Sequence, residues 1–125
     1  MFEGGSPATI SPDGATVAAN AFGGRAQAAL WDVTRPRHPV RLAVLSAGLS
    51  GALWGEAFSP GGRILAVAST TGLVLWDVAD PARATRMATP AGPGDYFAAL
   101  AFSPRENLLA GVTYHGSMLV FRVAG

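Results

Sequence analysis

The sequence predicts an all-β chain built from three copies of one unit. The first observation is a fixed period, because Trp31, Trp76 and Phe121 follow one another at intervals of 45 residues. The second is that each unit consists of short apolar segments separated by turns rich in glycine and proline. Self-similarity at a period of this length is the signature of a repeat architecture, in which each copy is one supersecondary unit.

A Ser-Pro turn opens each unit. The motif is Ser11-Pro12-Asp13-Gly14 in the first copy, Ser59-Pro60-Gly61-Gly62 in the second and Ser103-Pro104-Arg105-Glu106 in the third. Proline presets φ at the second position of a type I turn, and glycine is favoured at the fourth. We therefore predict that each motif joins two antiparallel strands in a hairpin.

The strands after each turn are continuously apolar. The second copy reads Ile64-Leu65-Ala66-Val67-Ala68 and then, after a small turn, Leu73-Val74-Leu75-Trp76. A strand without polar alternation indicates burial on both of its faces. Since no segment firmly predicts a helix that could cover those faces, we expect sheets to cover sheets, as the stacked blades of a β-propeller do.

Residues 41–57 allow a second interpretation, because four leucines recur there at helical spacing. Three glycines in the same stretch favour strands, since each costs about 1 kcal/mol in a helix interior. We predict an outer strand from Val40 to Leu45, then a loop and the next inner strand. A helix over 41–57 is the competing prediction.

These motifs resemble the WD40 repeat of β-propellers. Phe-Ser-Pro-x-Gly, an apolar strand, a small turn and Leu-Trp-Asp-Val follow one another between Phe58 and Val78. The resemblance covers nearly the whole chain, from about Ala8 to Val123. Its repeat signature consists of Trp31, Asp32, Trp76, Asp77 and Phe121. Propellers of the periplasmic type share Ser-Pro-Asp-Gly but lack Trp-Asp, and they are the second choice.

The sequence departs from the WD40 pattern at a buried hydrogen-bond network that the resemblance implies. The family has Gly-His directly before the innermost strand. Here no Gly-His pair stands before the strands that end at Phe58 and Phe102. Ser69 and Trp76 alone occupy suitable network positions. We therefore expect the network to be absent and each blade to lose that source of stability.

The repeat predicts a tail over residues 1–7 and a partial propeller over 8–125, with blades at about 8–45, 54–88 and 96–123. A blade has four strands, and the third blade lacks its outer strand. Propellers close with about four to eight blades, so three blades do not make a ring. A lone chain would expose two apolar blade faces. Further blades must come from the same gene or from self-association, and we favour a segment of a larger propeller.

Composition argues against several classes of function. The chain has 125 residues, a net charge of +1 and no cysteine. The balanced charge argues against nucleic acid and anionic membranes as partners. The first residues do not resemble a signal peptide, and the longest charge-free stretch is too short and too polar to span a membrane. We predict a cytoplasmic protein, and the abundance of alanine with arginine as the sole basic residue indicates a bacterium of high GC content.

No constellation of residues predicts catalysis, a metal site or a cofactor. Asp13, Asp32 and Asp77 belong to turns or to the repeat, and no two acids recur as a catalytic pair would. His38 and His115 have no His, Asp or Glu neighbours at ligand spacing. A nucleophile elbow and a phosphate-binding loop are also missing from the sequence. We therefore predict a protein that is not an enzyme and needs no cofactor.

Two sets of residues are candidates for binding a protein or peptide partner. The WD40 resemblance implies partner binding by the loops that enter the inner strands and by the turns before the Trp-bearing strands. The candidates there are Trp54, Tyr96, Phe97, Tyr114 and His115, and aromatic residues are enriched at binding hot spots. The alternative is that Trp54 and Phe97 pack between blades, since propeller cores also use aromatics.

The second set is a possible basic rim on the opposite side of the blades. It consists of Arg35, Arg37, Arg41, Arg83 and Arg86, which lie in equivalent segments of the first two units. One interpretation is a site for an acidic or phosphorylated peptide. The other is a solvated edge that keeps the outer strands from pairing with other chains.

The sequence thus predicts a protein-interaction scaffold or docking module, and bacterial relatives attached to kinases or NTPases imply a role in signalling. Two alternatives remain. One is a nonfunctional fragment of a longer repeat array. The other is an enzyme with its active site at the centre of a completed propeller, for which a His or an acid recurring on the inner strands would be the sign.

Overall fold

The computed structural model describes residues 8–20, 27–46, 53–70, 72–91, 97–105, 108–113 and 116–123. These residues form eleven strands in three antiparallel sheets and one short 3-10 helix. The all-β fold class and the three-stranded third blade predicted from the sequence are confirmed.

Each sheet is one blade, and its strands are adjacent in chain order. Blade 1 contains β1 (Ala8–Ile10), β2 (Thr16–Asn20), β3 (Ala28–Asp32) and β4 (Val40–Leu45). Blade 2 contains β5 (Leu53–Phe58), β6 (Ile64–Ser69), β7 (Gly72–Asp77) and β8 (Thr85–Ala91), with the 3-10 helix Pro81–Arg83 before β8. Blade 3 contains β9 (Phe97–Phe102), β10 (Leu108–Thr113) and β11 (Met118–Arg122).

The strands found at β4 and β5 settle the competing interpretations of this region. Val40–Leu45 is a strand with the bounds predicted from the sequence, and Leu53–Phe58 is the next one. The helix over 41–57 is therefore wrong for these two segments, and the residues between them lie outside the described part of the chain. Spacing alone misleads here because leucines of an outer strand and of the following inner strand mimic a helical period.

The Ser-Pro motifs of blades 1 and 2 form the predicted hairpin turns. The N–H of Gly14 donates to the carbonyl of Ser11 at 2.9 Å, and Gly62 donates to Ser59 at the same distance. Gly62 has a φ of 74°, a conformation in which a side chain is strained. The hydroxyl of Ser59 accepts from the N–H of Ile64 at 3.1 Å, so the serine fastens the turn to the second strand.

The three blades share one strand register. Val17 lies opposite Trp31 in blade 1, Leu65 opposite Trp76 in blade 2 and Leu109 opposite Phe121 in blade 3. Residues directly opposite each other in an antiparallel pair lie on the same face of the sheet. Structurally equivalent positions can therefore be compared from blade to blade.

The hydrophobic core lies between the blades, in two layers. The layer between blades 1 and 2 contains Ala18, Ala28, Leu30, Leu45, Leu53, Leu65, Val67, Val74, Trp76 and Val78. The layer between blades 2 and 3 contains Ile64, Ala66, Ala68, Leu73, Leu75, Leu109 and Val123. Blade 2 is thus covered on both faces, as the apolar runs of β6 and β7 predicted.

Blade 3 differs from the prediction that both faces of its strands are buried. Burial alternates along β10 and β11, and Val112, Met118 and Val120 are exposed. These three side chains lie on the face turned away from blade 2, which no described residue of the chain covers. The prediction fails here because it assumed a further blade.

Candidate partner-binding surfaces

The direction of the strands decides which loops share an end of the blades. The first strand of each blade runs towards its Ser-Pro turn, the second runs back, and the third runs in the direction of the first. The Ser-Pro turns and the segments after β3 and β7 therefore share one end, here called the Ser-Pro end. The opposite end, called the aromatic end, carries the beginnings of β5 and β9 and the turn between β10 and β11.

The candidate residues of the aromatic end are described only in part. Trp54 is the second residue of β5, and Phe97 is the first residue of β9. Tyr96, Tyr114 and His115 lie outside the described residues. The assignment of these five residues to a binding surface stays a prediction.

The basic rim consists of five exposed arginines on blades 1 and 2. Arg35 and Arg37 precede β4, Arg41 lies on β4, Arg83 ends the 3-10 helix and Arg86 lies on β8. Arg41 stands opposite Trp31 and Arg86 opposite Trp76, so these two arginines are structural equivalents. Because β4 contacts the 3-10 helix, the arginine-bearing segments of the two blades are neighbours.

Carboxylates lie close to this rim. Asp80 faces Arg83 at 3.9 Å, and because both side chains are exposed the ion pair is weak. The hydroxyl and the N–H of Thr34 donate to Asp32 at 2.6 and 2.8 Å. These hydrogen bonds, with a smaller contribution from Arg35, hold the pKa of the Asp32 carboxyl below its usual value. An acidic partner would therefore meet the guanidinium groups beside fixed negative charges.

An unpredicted cavity lies between blades 1 and 2 at the Ser-Pro end. Its volume is about 520 Å³, and its polar lining includes Ser11, Asp13, Thr16 and Arg63. Ser11 donates to Asp13 at 2.6 Å and the N–H of Ala15 donates at 3.0 Å, which lowers the pKa of the Asp13 carboxyl. The cavity thus offers an anionic and a cationic group from adjacent blades.

Glu56 is the titratable residue that sequence reasoning missed. It lies on β5 opposite Val67, is only 9% exposed, and neither of its carboxyl oxygens has a hydrogen-bond partner. Burial raises the pKa of this carboxyl to about 8. Ala8 and Leu100 occupy the equivalent register positions of blades 1 and 3, so the acid does not recur on the inner strands.

Three further features of the described residues bear on function. Trp76 is buried and its indole N–H has no hydrogen-bond partner, as the departure from the WD40 network led us to expect. Within the ranges that the structure describes, no group of three or more His, Cys, Asp or Glu side chains could hold a metal ion. The same ranges contain no helix with the length and apolar character needed to cross a membrane.

Stacked antiparallel blades with a 45-residue period and a repeated Trp-Asp signature define a partial β-propeller, and its blades are WD40-like. Many solved structures share this fold, and two of them serve as examples. The Cps50 (Swd1) β-propeller domain of Myceliophteria thermophila matches 94% of this chain with a TM-score of 0.74 and 13% sequence identity. A mitotic checkpoint complex structure matches 95% of the chain with a TM-score of 0.75 and 15% identity.

This chain spans 40% of the first of those chains and 37% of the second. No protein-family model matches the sequence, and no curated protein matches it either. The likeness therefore shows the fold, and a partial propeller in particular.

Proposed function

We propose that this chain is a non-catalytic protein-interaction scaffold or docking module, which works in the bacterial cytoplasm as part of a larger propeller. The observation that carries the proposal is that the described carboxylates have structural surroundings and not catalytic ones. Asp13, Asp32, Asp77 and Asp80 each accept a backbone N–H within their own turn, and Glu56 lies inside an interblade core.

The four aspartates therefore stabilise turns. None of the five acids faces a second acid or a base, as general acid–base catalysis requires. The exposed arginines and the loops at both ends are then free to contact another protein. One of the solved structures named above is that of a complex, which fits a propeller that works within an assembly.

The partner surface that we propose first is the aromatic end, with Trp54, Tyr96, Phe97, Tyr114 and His115. A second surface is the basic rim, which would take an acidic or phosphorylated peptide. The exposure of all five rim arginines favours it, because guanidinium groups pair with carboxylate or phosphate through two parallel hydrogen bonds. We propose neither nucleic acid nor membrane as a partner, since the net charge is only +1.

The experiment is affinity capture from the source lysate with the purified chain and two sets of variants. The double variant Tyr114→Ser, His115→Ser changes the aromatic end, and the double variant Arg41→Gln, Arg86→Gln changes the rim. Arg105→Gln is the matched control, because Arg105 is exposed but belongs to the Ser-Pro turn of blade 3.

We expect one protein to be retained by the wild type and by the control, and to be lost with one of the double variants. Loss with the aromatic pair would assign the first surface, and loss with the arginine pair would assign the second. A captured set that is identical for all four proteins, or no captured protein, would contradict the proposal.

A further inference from the structure

Each blade has two different faces. The face that carries Leu30 in blade 1 carries Leu75 in blade 2 and Val120 in blade 3, and it is here called the leucine face. The other face carries Trp31, Trp76 or Phe121 and is called the tryptophan face. The shared register makes both faces equivalent from blade to blade.

Both interfaces within the chain pair unlike faces. Leu30 and Trp76 belong to the core layer between blades 1 and 2, so the leucine face of blade 1 packs on the tryptophan face of blade 2. Leu75 belongs to the second layer and Phe121 packs against it, which repeats the same arrangement between blades 2 and 3. Each blade therefore packs on the next in the same way, with its leucine face against the tryptophan face of the blade that follows it.

The leucine face of blade 3 has the composition of an interface, but no described residue of the chain covers it. Leu30 and Leu75 are 0% and 5% exposed, whereas the equivalent Val120 is 60% exposed. Ala28 and Leu73 are both fully buried, whereas the equivalent Met118 is 67% exposed. Val112 on β10 extends the same apolar surface.

The tryptophan face of blade 1 is exposed in part, at its large side chains on β1 and β4, whereas Ala19 and Ala29 on the same face are buried. Ile10 is 56% exposed, although the equivalent Phe58 and Phe102 pack against the two core layers. Val44 on β4 lies on this face beside Ala29 and is also exposed. Its neighbour Trp31 is the equivalent of the buried Trp76.

We propose that the leucine face of blade 3 docks on the tryptophan face of blade 1 of a second copy of this chain. Among the described residues, the stack thus ends in one exposed face of each kind, and faces of these two kinds already pack together twice within it. The occupant of each free face is therefore found in the same sequence. The inference deepens the proposed function, since it states what completes the larger propeller in which the scaffold works.

The number of copies follows from the number of blades. Two chains that contact each other twice, head to tail, form a closed ring of six blades, which lies within the range of about four to eight that propellers use. Three chains would give nine blades, which lies outside it. A head-to-tail contact between unlike faces gives a closed ring only when the rotation from chain to chain completes a full turn. Two chains of three blades satisfy this condition, so we expect a discrete dimer.

The test is sedimentation equilibrium of the purified chain over a range of concentrations. We expect a mass of twice 12.8 kDa for the wild type. Val120→Glu and Ile10→Glu each place a charge on one free face and should give 12.8 kDa monomers, with dissociation constants raised at least tenfold. Val40→Glu is the matched control, because Val40 is 57% exposed and lies on neither free face, and it should remain a dimer.

Mixing the two monomeric variants tests the pairing of unlike faces. Each variant keeps the face that the other has lost, so an equimolar mixture should form a dimer through one intact interface. Circular dichroism of each variant alone should match the wild type, since the substituted side chains are exposed in the single chain.

Three outcomes would overturn the inference. They are a folded wild-type monomer, dimers of Ile10→Glu alone or Val120→Glu alone, and an aggregated or unfolded wild type. A folded monomer that still captures its partner would leave the scaffold function standing and point to blades from a longer polypeptide. A dimer that captures nothing would support the inference and contradict the function.

Discussion

Replacing Glu56 by glutamine should make the chain more stable in alkaline solution. The strands packed most closely on β5 are β1, β2, β6 and β9, and none of these four contains a charged or titratable residue. The Glu56 carboxyl is therefore buried with neither a counter-ion nor a hydrogen-bond partner. Glutamine has nearly the same shape and remains neutral at every pH.

The sign and size of the effect follow from the pKa of this carboxyl. Burial raises the pKa from 4.5 to about 8, so the folded chain keeps a proton that the unfolded chain releases between those values. The protonated carboxyl makes its full contribution to the free energy of unfolding below pH 4.5. This contribution decreases as the pH rises towards 8. At about 1.4 kcal/mol per pH unit, this interval corresponds to a loss of roughly 5 kcal/mol.

The assay is urea unfolding of the wild type and Glu56→Gln at intervals from pH 4 to pH 9. We expect the two proteins to agree within about 1 kcal/mol at pH 4 and the variant to be more stable by about 3 to 5 kcal/mol at pH 9. Asp13 and Asp32, whose pKa values are lowered, lose their stabilising effect only in more acidic solution.

Asp32→Asn is the control, because the pKa of the Asp32 carboxyl is lowered by its hydrogen bonds from Thr34 and not raised by burial. Its difference from the wild type should stay constant between pH 5 and pH 9. A difference between wild type and Glu56→Gln that is equally flat would refute the reasoning, as would an NMR titration of the Glu56 carboxyl with a midpoint near 4.5.

Three further predictions concern the turns and the core, and each is measured by urea unfolding at pH 6. Gly62→Ala should cost about 1 kcal/mol because its φ is 74°, whereas Gly61→Ala should be nearly neutral because an added Cβ would meet no atom within 4 Å. Equal effects of the two would contradict the assigned turn. Ser59→Ala removes a buried acceptor of the Ile64 N–H and should cost about 1 to 3 kcal/mol, and an effect below 0.5 kcal/mol would contradict that bond. Leu65→Ala should cost about 2 to 5 kcal/mol because Leu65 is fully buried, and a cost below 1 kcal/mol would mean that the core between blades 1 and 2 is not formed.

The repeat made much of the fold predictable. The spacing of Trp31, Trp76 and Phe121 gave the number of units, and the Ser-Pro motifs gave the hairpins that Gly14 and Gly62 close. The signals are reliable because they are local: a turn depends on four residues, and a period is visible along the chain.

Burial in blade 3 was not predictable from its own residues. Val112, Met118 and Val120 are apolar, as the side chains of an interblade layer are, yet they are exposed in the single chain. Their sequence is suited to a neighbour that the described part of the chain does not supply. A prediction from local pattern cannot tell whether that neighbour is covalently attached.

The sites were less predictable than the fold. Glu56 stands two residues before Phe58, so strand alternation places it on the same face, but an unpaired glutamate is rarely buried and composition alone gives no sign that this one is. The cavity that joins Asp13 to Arg63 forms only when two blades pack, because the residues are 50 positions apart in the sequence. Neither feature has a local signature.

Small-angle X-ray scattering of the purified chain tests most directly whether its outer faces pack on those of a second copy. A closed pair of chains should have a radius of gyration of about 18 Å, against about 14 Å for one compact chain. We expect the value near 18 Å, with a forward intensity that corresponds to two chains. A compact particle of about 14 Å that stays monomeric at high concentration, or an unfolded chain of about 36 Å, would contradict the account.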